Sequence, residues 1–140
     1  MTVSDLLAKA KYPERVYVGI LSQIDRRTEF KFLSSFGRRI RQEVMNVRDC
    51  KGVCWARSRI LTKLREQEEY VLQIDSHSRF KPGWDETLLN MYSQLGKRNA
   101  VISYYPPNYT PNQPINYKEN PYIYFVIKEL NDPGIPRFSS

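Results

Sequence analysis

Between Gly52 and Gly96 two amphipathic segments flank one short apolar run, and this order restricts the fold more than any other feature. In "GVCWARSRILTKLREQE" (52–68) the apolar residues fall at 53, 56, 60, 61 and 64, the spacing of one helix face. "YVLQID" (70–75) is short and apolar and reads as a strand. "WDETLLNMYSQLG" (84–96) returns to helical spacing, with Leu88, Leu89, Tyr92 and Leu95 on one side and Gly96 as its C-cap. Two helices around a strand need a sheet on which to lay their apolar faces, which is an α/β architecture.

The flanking segments fit the same plan. "SDLLAKAKY" reads as a short helix with Ser4 as N-cap and Pro13 beyond its end. "RVYVGILSQ" (15–23), "RIRQEVMNV" (39–47), "AVISYYP" (100–106) and "YIYFVIKEL" (122–130) read as strands. "IDRRTEFKFLSSFGRR" reads as a loop with a helical turn, and "PNYTPNQPINYKENP" as a long surface loop. The order predicts helices packed on a mostly parallel sheet, in one domain over residues 1–140.

Composition removes several function classes. With 41% apolar and 26% charged residues, the chain has the balance of a folded domain and not of a disordered one. No apolar run approaches the ~20 residues of a membrane span and the N-terminus lacks a signal-peptide core, so a cytoplasmic protein without a span is expected. Two cysteines, Cys50 and Cys54, and a single histidine leave no four-ligand structural zinc site. The net charge of +7 fits a polyanionic partner, and equally a basic solvated surface.

Chemistry gathers where the central strand runs out. In open α/β sheets ligands lie beyond the carboxyl ends of strands, and Asp75 stands at such an end. Along an extended segment Asp75 and His77, two residues apart, project to the same side. A carboxylate with an imidazole suits Mn²⁺ or a similar ion whose shell is completed by water and phosphate oxygens. An ordinary strand-end turn is the alternative, because D-x-H is a common pattern. Downstream, "RFKPGWD" contains a Pro-Gly turn, with Trp84 as a packing anchor and Asp85 as a favourable carboxylate in the first turn of the next helix. Upstream, Arg57 and Arg59 near the start of the preceding helix could reach a diphosphate with their planar donor forks, helped by the helix N-terminus, or remain solvated.

These residues carry a family likeness. The stretch 52–89 resembles the donor-site core of nucleotide-sugar glycosyltransferases of the GT-A fold, and most closely the polypeptide N-acetylglucosaminyltransferases that modify hydroxyproline on a cytosolic Skp1 protein. The shared hallmark is an Ala-Arg pair, here Ala56-Arg57, followed after one helix by "YxLQIDSHxRFxxGWD" at 70–85. The mucin-type polypeptide GalNAc transferases are similar but more distant. "ERVYVGILSQ" and "ISYYPPNYTP" also look like family segments.

The resemblance implies a truncated GT-A-like nucleotide-diphospho-sugar transferase sandwich. It implies that Asp75 and His77 bind a divalent metal, Mn²⁺ with Mg²⁺ as the alternative, that bridges the donor diphosphate. Arg57 would contact the nucleotide or its phosphates, and Gly52 would let backbone approach the nucleotide. The donor would be a UDP-sugar such as UDP-N-acetylglucosamine, and the acceptor a hydroxyl of a protein or glycan; no catalytic nucleophile or base is carried over. The chain aligns from the helix that follows the first GT-A strand, so that strand, part of the uracil pocket and the C-terminal acceptor region are expected to be missing. A homodimer or a second subunit completing the sheet is the corresponding expectation. Two other readings stay open: a basic nucleic-acid-binding module using Arg38, Arg39 and Arg41, and a non-catalytic subunit that keeps the glycosyltransferase fold.

Overall fold

The structure is a computed structural model that describes residues 2–25, 34–64, 68–96, 99–104, 106, 109, 110, 113, 126–131 and 135–139. It divides into two compact units, Met1–Met91 and Tyr92–Ser140. The described residues form an α/β fold with three helices and a two-stranded parallel sheet in the first unit, and a two-stranded antiparallel ladder in the second.

Helix α1 (Thr2–Lys9) opens the first unit. It begins two residues before Ser4, which therefore sits inside the first turn and is not the cap. Leu6 and Leu7 are buried with Phe80, and Val3, Val16, Val18, Ile40 and Trp84 pack around them. Burial of such side chains contributes about 1.5–3 kcal/mol each. The Phe80 and Trp84 rings meet at 5.1 Å in a tilted arrangement, and the Trp84 indole N–H donates to the Leu6 carbonyl at 3.0 Å. Trp84 is thus the anchor that its aromatic bulk and single donor suggest.

Strands β1 (Val18–Ile24) and β2 (Ile40–Asn46) pair in parallel, from Val18 opposite Ile40 to Ile24 opposite Asn46. A parallel pair needs a long crossover, and residues 25–39 supply it. The helical turn expected there is found as two short 3₁₀ turns within Ser34–Arg39, separated by a kink at Gly37 (φ 66°, ψ −155°), while residues 26–33 lie outside the described residues. Helix α2 (Val53–Arg59) then runs into a wider π-helical turn at Ile60–Leu64, so the expected long helix changes its winding part-way; residues 65–67 of it lie outside the described residues. Arg59 fixes it to the sheet: its Nε and Nη2 donate to Glu43 Oε2 and Oε1 at 2.7 and 2.5 Å, and its guanidinium lies 5.5 Å from the Trp55 ring.

The predicted strand at 70–75 is not one. Residues 71–75 join no sheet among the described residues, and Tyr70, Val71, Leu72 and Ile74 are exposed. Apolar, β-prone composition predicts a strand only if a ladder partner lies alongside. Helix α3 (Trp84–Gln94) follows and ends before Gly96, whose φ of +61° is the left-handed geometry of a C-terminal glycine. The half-buried Leu88, Leu89 and Tyr92 mark its inner face, whereas Leu95 is exposed.

In the second unit, residues 100–104 and 106 form no strand, in contrast to the sequence expectation. Strands β3 (Val126–Asn131) and β4 (Ile135–Ser139) pair antiparallel, with an irregularity between Ile127 and Glu129. The expected strand at 122–130 is therefore found from Val126 onward; its first residues, and most of the proline-rich loop, lie outside the described residues. The sheet is mostly parallel only in the first unit.

Candidate functional site

Three of the four residues expected to bind donor or metal occupy one solvent-facing corner. The Arg57 guanidinium, on α2, faces the Gln73 amide; with that amide assigned so that its oxygen, not its nitrogen, points at the guanidinium, Nε and Nη1 donate to it at 2.8 and 2.9 Å, and Nη2 lies 3.4 Å from Asp75 Oδ1. The Asp75 side chain is 67% exposed and that of Arg57 39%, so the pair is screened by water and holds both groups only loosely.

Asp75 opens a tight turn. Its carbonyl accepts the Ser78 N–H at 3.2 Å and the Ser78 hydroxyl at 2.8 Å, with Ser76 and His77 exposed between them. The extended geometry used to put Asp75 and His77 on one side therefore stops at Asp75; a turn, not strand alternation, presents His77. The same alternation does hold one step earlier, where Gln73 and Asp75 both meet Arg57. Gln73 was missed because the two-residue period was followed forward from Asp75 and not backward, although the signal was in the sequence.

Gly52, the residue before α2, has φ +90° and ψ 177°, a region open essentially only to glycine. Among the described residues, chain neighbours aside, no atom lies within 4 Å of where a Cβ would stand, so backbone conformation and not crowding selects glycine here. That open space is compatible with close approach of a ligand to the backbone. Arg57 lies beyond the first turn of α2, and meets Gln73 and Asp75 with its side chain.

The donor set fits a hard divalent ion with an incomplete protein shell. Asp75 offers an exposed carboxylate already facing a cation, and His77 an exposed imidazole on the same hydrogen-bonded turn. Among the described residues no three His, Cys, Asp or Glu side chains group into a metal site, so water and substrate oxygens would supply the other positions. Cys50, whose thiol donates to the Asn46 carbonyl at 3.3 Å, and the exposed Cys54 are both unoxidised.

The loop beyond the turn is tightly held. Buried Asp85 accepts the backbone N–H groups of Lys11 and Tyr12 at 2.8 and 2.9 Å. Burial alone pushes its carboxyl up, but those amides, with its own and that of Glu86, outweigh it and hold the group below the usual carboxylate range. Asp5 follows the same logic: burial raises it, while Lys9, the Phe80 amide and Arg79 bring it below the ordinary value.

Apart from the Asp75 corner, an open cleft of about 380 Å³ lies at the carboxyl ends of β1 and β2 and is lined by Ile24, Glu43, Val44, Met45, Asn46 and Asp49. Its wall residue Glu43 is held by Arg59, two positions from Arg57 on α2 and hence on a different face of the helix. The cleft and the Asp75 corner therefore flank α2 on different sides.

A family model described as Glycosyltransferase (GlcNAc) matches residues 25–140, which contain Gly52, Arg57, Gln73, Asp75 and His77. No curated protein and no solved structure matches the chain. Among the described residues no helix is long and apolar enough to cross a membrane. With most of its length under that model, the chain belongs to the GlcNAc glycosyltransferase family.

Proposed function

We propose that this chain is a metal-dependent glycosyltransferase domain that moves a sugar, N-acetylglucosamine, from a UDP donor to a hydroxyl of a protein or glycan. The observation that carries the reading is the Arg57 guanidinium set against Gln73 and Asp75 at the border of the turn bearing His77. A cation, a carboxylate and an imidazole on one exposed corner suit a diphosphate with its metal. The match of 70–85 to the hallmark of the Skp1 hydroxyproline N-acetylglucosaminyltransferases supports the donor sugar, a GT-A-like core and a cytoplasmic setting. Completion of the sheet by a second copy or another subunit belongs to the same reading.

Asp75 and His77 would hold Mn²⁺ or Mg²⁺. The ion, when bound, supplies Lewis-acid stabilisation of the charge that develops on the UDP leaving group. Arg57 binds and orients. Its 3.4 Å contact with Asp75 is long and exposed, so the guanidinium can exchange that carboxylate for phosphate oxygens while Gln73 keeps its plane fixed. Gly52 leaves an unobstructed backbone at the start of the same helix.

Of the three arginines named for the nucleic-acid reading, Arg38 is exposed and the other two make contacts within the fold. Arg39 donates to the Pro13 carbonyl and Arg41 to the Leu64 carbonyl at 3.2 Å, so both guanidinium groups are engaged within the fold.

Calorimetric titration of UDP with and without Mn²⁺ tests the proposal. Binding that needs Mn²⁺ and disappears in Asp75→Ala and His77→Ala is expected, with both variants keeping their thermal midpoint because the side chains are exposed. Absence of UDP binding by the wild-type chain at saturating Mn²⁺ would sink it. Sugar transfer or UDP-sugar hydrolysis by the purified chain separates an enzyme from a non-catalytic subunit.

A further inference from the structure

The turn that presents His77 is bordered by a part of the chain that the family match leaves out. Helix α1 lies wholly before residue 25, where the match begins. Along one surface of α1, Thr2 Oγ1 donates to the Ser76 carbonyl at 2.5 Å and Asp5 Oδ2 accepts the Phe80 N–H at 2.8 Å. Further on, the Lys9 carbonyl accepts the Gly83 N–H at 2.7 Å. Residues 2, 5 and 9 share a helix face, so helix and loop run side by side in the same direction.

Asp5 does the most in this seam. Its side chain is 9% exposed and both oxygens are engaged: Oδ2 by the Phe80 amide, Oδ1 by Lys9 Nζ at 2.9 Å and Arg79 Nη2 at 3.4 Å. Arg79 and Phe80 are the second and third residues after His77. Asp75, Ser76 and His77 are themselves exposed, so apolar burial does little to order them. Polar contacts at the borders of the turn take that role: Arg57 and Gln73 on one side, Thr2 and Asp5 on the other.

We propose that Asp5 is a positioning residue for the metal corner: by holding Arg79 and the Phe80 amide it fixes the turn on which Asp75 and His77 are presented. The inference rests on the glycosyltransferase reading of those two residues. Asp5 touches neither metal nor substrate; it acts through the loop, as an outer carboxylate acts on a ligand it orients.

His77 is the sole histidine, so its ring resonances report on the turn without ambiguity. The full chain is compared with Asp5→Ala, Asp5→Asn and, as a structural control, Asp85→Ala, which removes the carboxylate that ties the start of α3 to Lys11 and Tyr12. In Asp5→Ala the Phe80 amide should exchange faster and the His77 ring should shift at constant pH, less so in Asp5→Asn and not in Asp85→Ala. Mn²⁺ added alone should broaden the wild-type ring at a roughly tenfold lower concentration than in Asp5→Ala. Unchanged Phe80 exchange and an unmoved His77 ring in folded Asp5→Ala would overturn the proposal, as would equal Mn²⁺ sensitivity of that variant and a wild-type ring that does bind. If Mn²⁺ leaves the wild-type ring sharp while Asp5→Ala still frees Phe80 and moves the ring, positioning stands and the metal reading fails. Should Asp5→Ala not fold, Asp5→Asn carries the comparison, because its amide oxygen can still accept the Phe80 N–H while the ion pairs are lost.

Discussion

Arg59 grips Glu43 at two points, Nε to Oε2 at 2.7 Å and Nη2 to Oε1 at 2.5 Å, and so ties α2 to β2. The paired geometry matters more than the charge alone, since a guanidinium fork matches a carboxylate edge as an ammonium cannot. Arg59→Lys should therefore lower the thermal midpoint nearly as much as Arg59→Ala, by a few degrees. A lysine variant as stable as the wild type would show that one contact suffices. The hydrogen bond from Arg59 holds the Glu43 carboxyl below its usual range, against a smaller opposing push from burial. A carboxylate lowered on folding contributes fully above the ordinary glutamate range and loses that contribution as pH falls through its lowered value. Thermal melts should consequently show the effect of Glu43→Gln at neutral pH and little of it in strong acid.

Asp85 supports a sharper stability prediction. Removing its carboxylate leaves the Lys11 and Tyr12 amides without their acceptor in a part-buried setting. An unsatisfied buried donor costs about 1–3 kcal/mol, so Asp85→Ala should lose at least that much in denaturant titration. The carboxyl is lowered in the folded state, so this stability is complete above the ordinary aspartate range and fades as pH drops through the lowered value. A fall in the protection factors of the Lys11 and Tyr12 amides on acidification, after correction for the slower intrinsic exchange, would track the release. Protection that persists unchanged in acid would contradict it.

At the candidate site, Arg57→Lys should separate orientation from charge. A lysine cannot meet the Gln73 oxygen from two nitrogens while facing Asp75, so UDP affinity in Mn²⁺ should fall roughly tenfold, one good hydrogen bond to a charged group. The thermal midpoint should hardly move, because the pair is exposed. Equal UDP titrations for lysine and arginine would mean that only the positive charge is used.

Gly52→Ala tests backbone strain without crowding. Among the described residues, chain neighbours aside, the added methyl meets nothing within 4 Å, yet φ +90° with ψ 177° is a conformation that alanine avoids. The cost should be about 1–3 kcal/mol from the backbone alone. A denaturation midpoint matching the wild type would show that the start of α2 relaxes to another conformation, and UDP titration would then report whether the site tolerates the change.

Much of this molecule is legible in the sequence, for reasons that also mark where legibility stops. Periodicity in "SDLLAKAKY", "VCWARSR" and "WDETLLNMYSQ" reports helices because the relevant contacts are three or four residues apart. The strand at 18–24 is readable from its β-branched and apolar run, and that at 40–46 from an imperfect alternation of period two. Residues 70–75 carry the same signal and form no ladder among the described residues, because pairing depends on a neighbour that composition does not name. Arg57 and Asp75 are each legible as candidates and Gln73 follows from the two-residue period before Asp75, but the contact of Arg57 with both needs coordinates. Asp5 and Asp85 were the least readable. Each reads locally as a helix carboxylate, and the groups that hold Asp5 from outside its helix, like those held by Asp85, lie more than seventy residues away.

That separation has a consequence for how the domain comes together. Thr2 to Ser76 and Lys11 to Asp85 each span 74 positions, so the seam closes only after a long loop has lost its freedom. Contacts of this range form late and slow the folding of small domains. On a ribosome, α1 would leave the exit tunnel well before its partner segment exists. The corner that carries Asp75 and His77 should thus become ordered during synthesis only well after α1 has emerged, and should be among the first parts to loosen when α1 is pulled away.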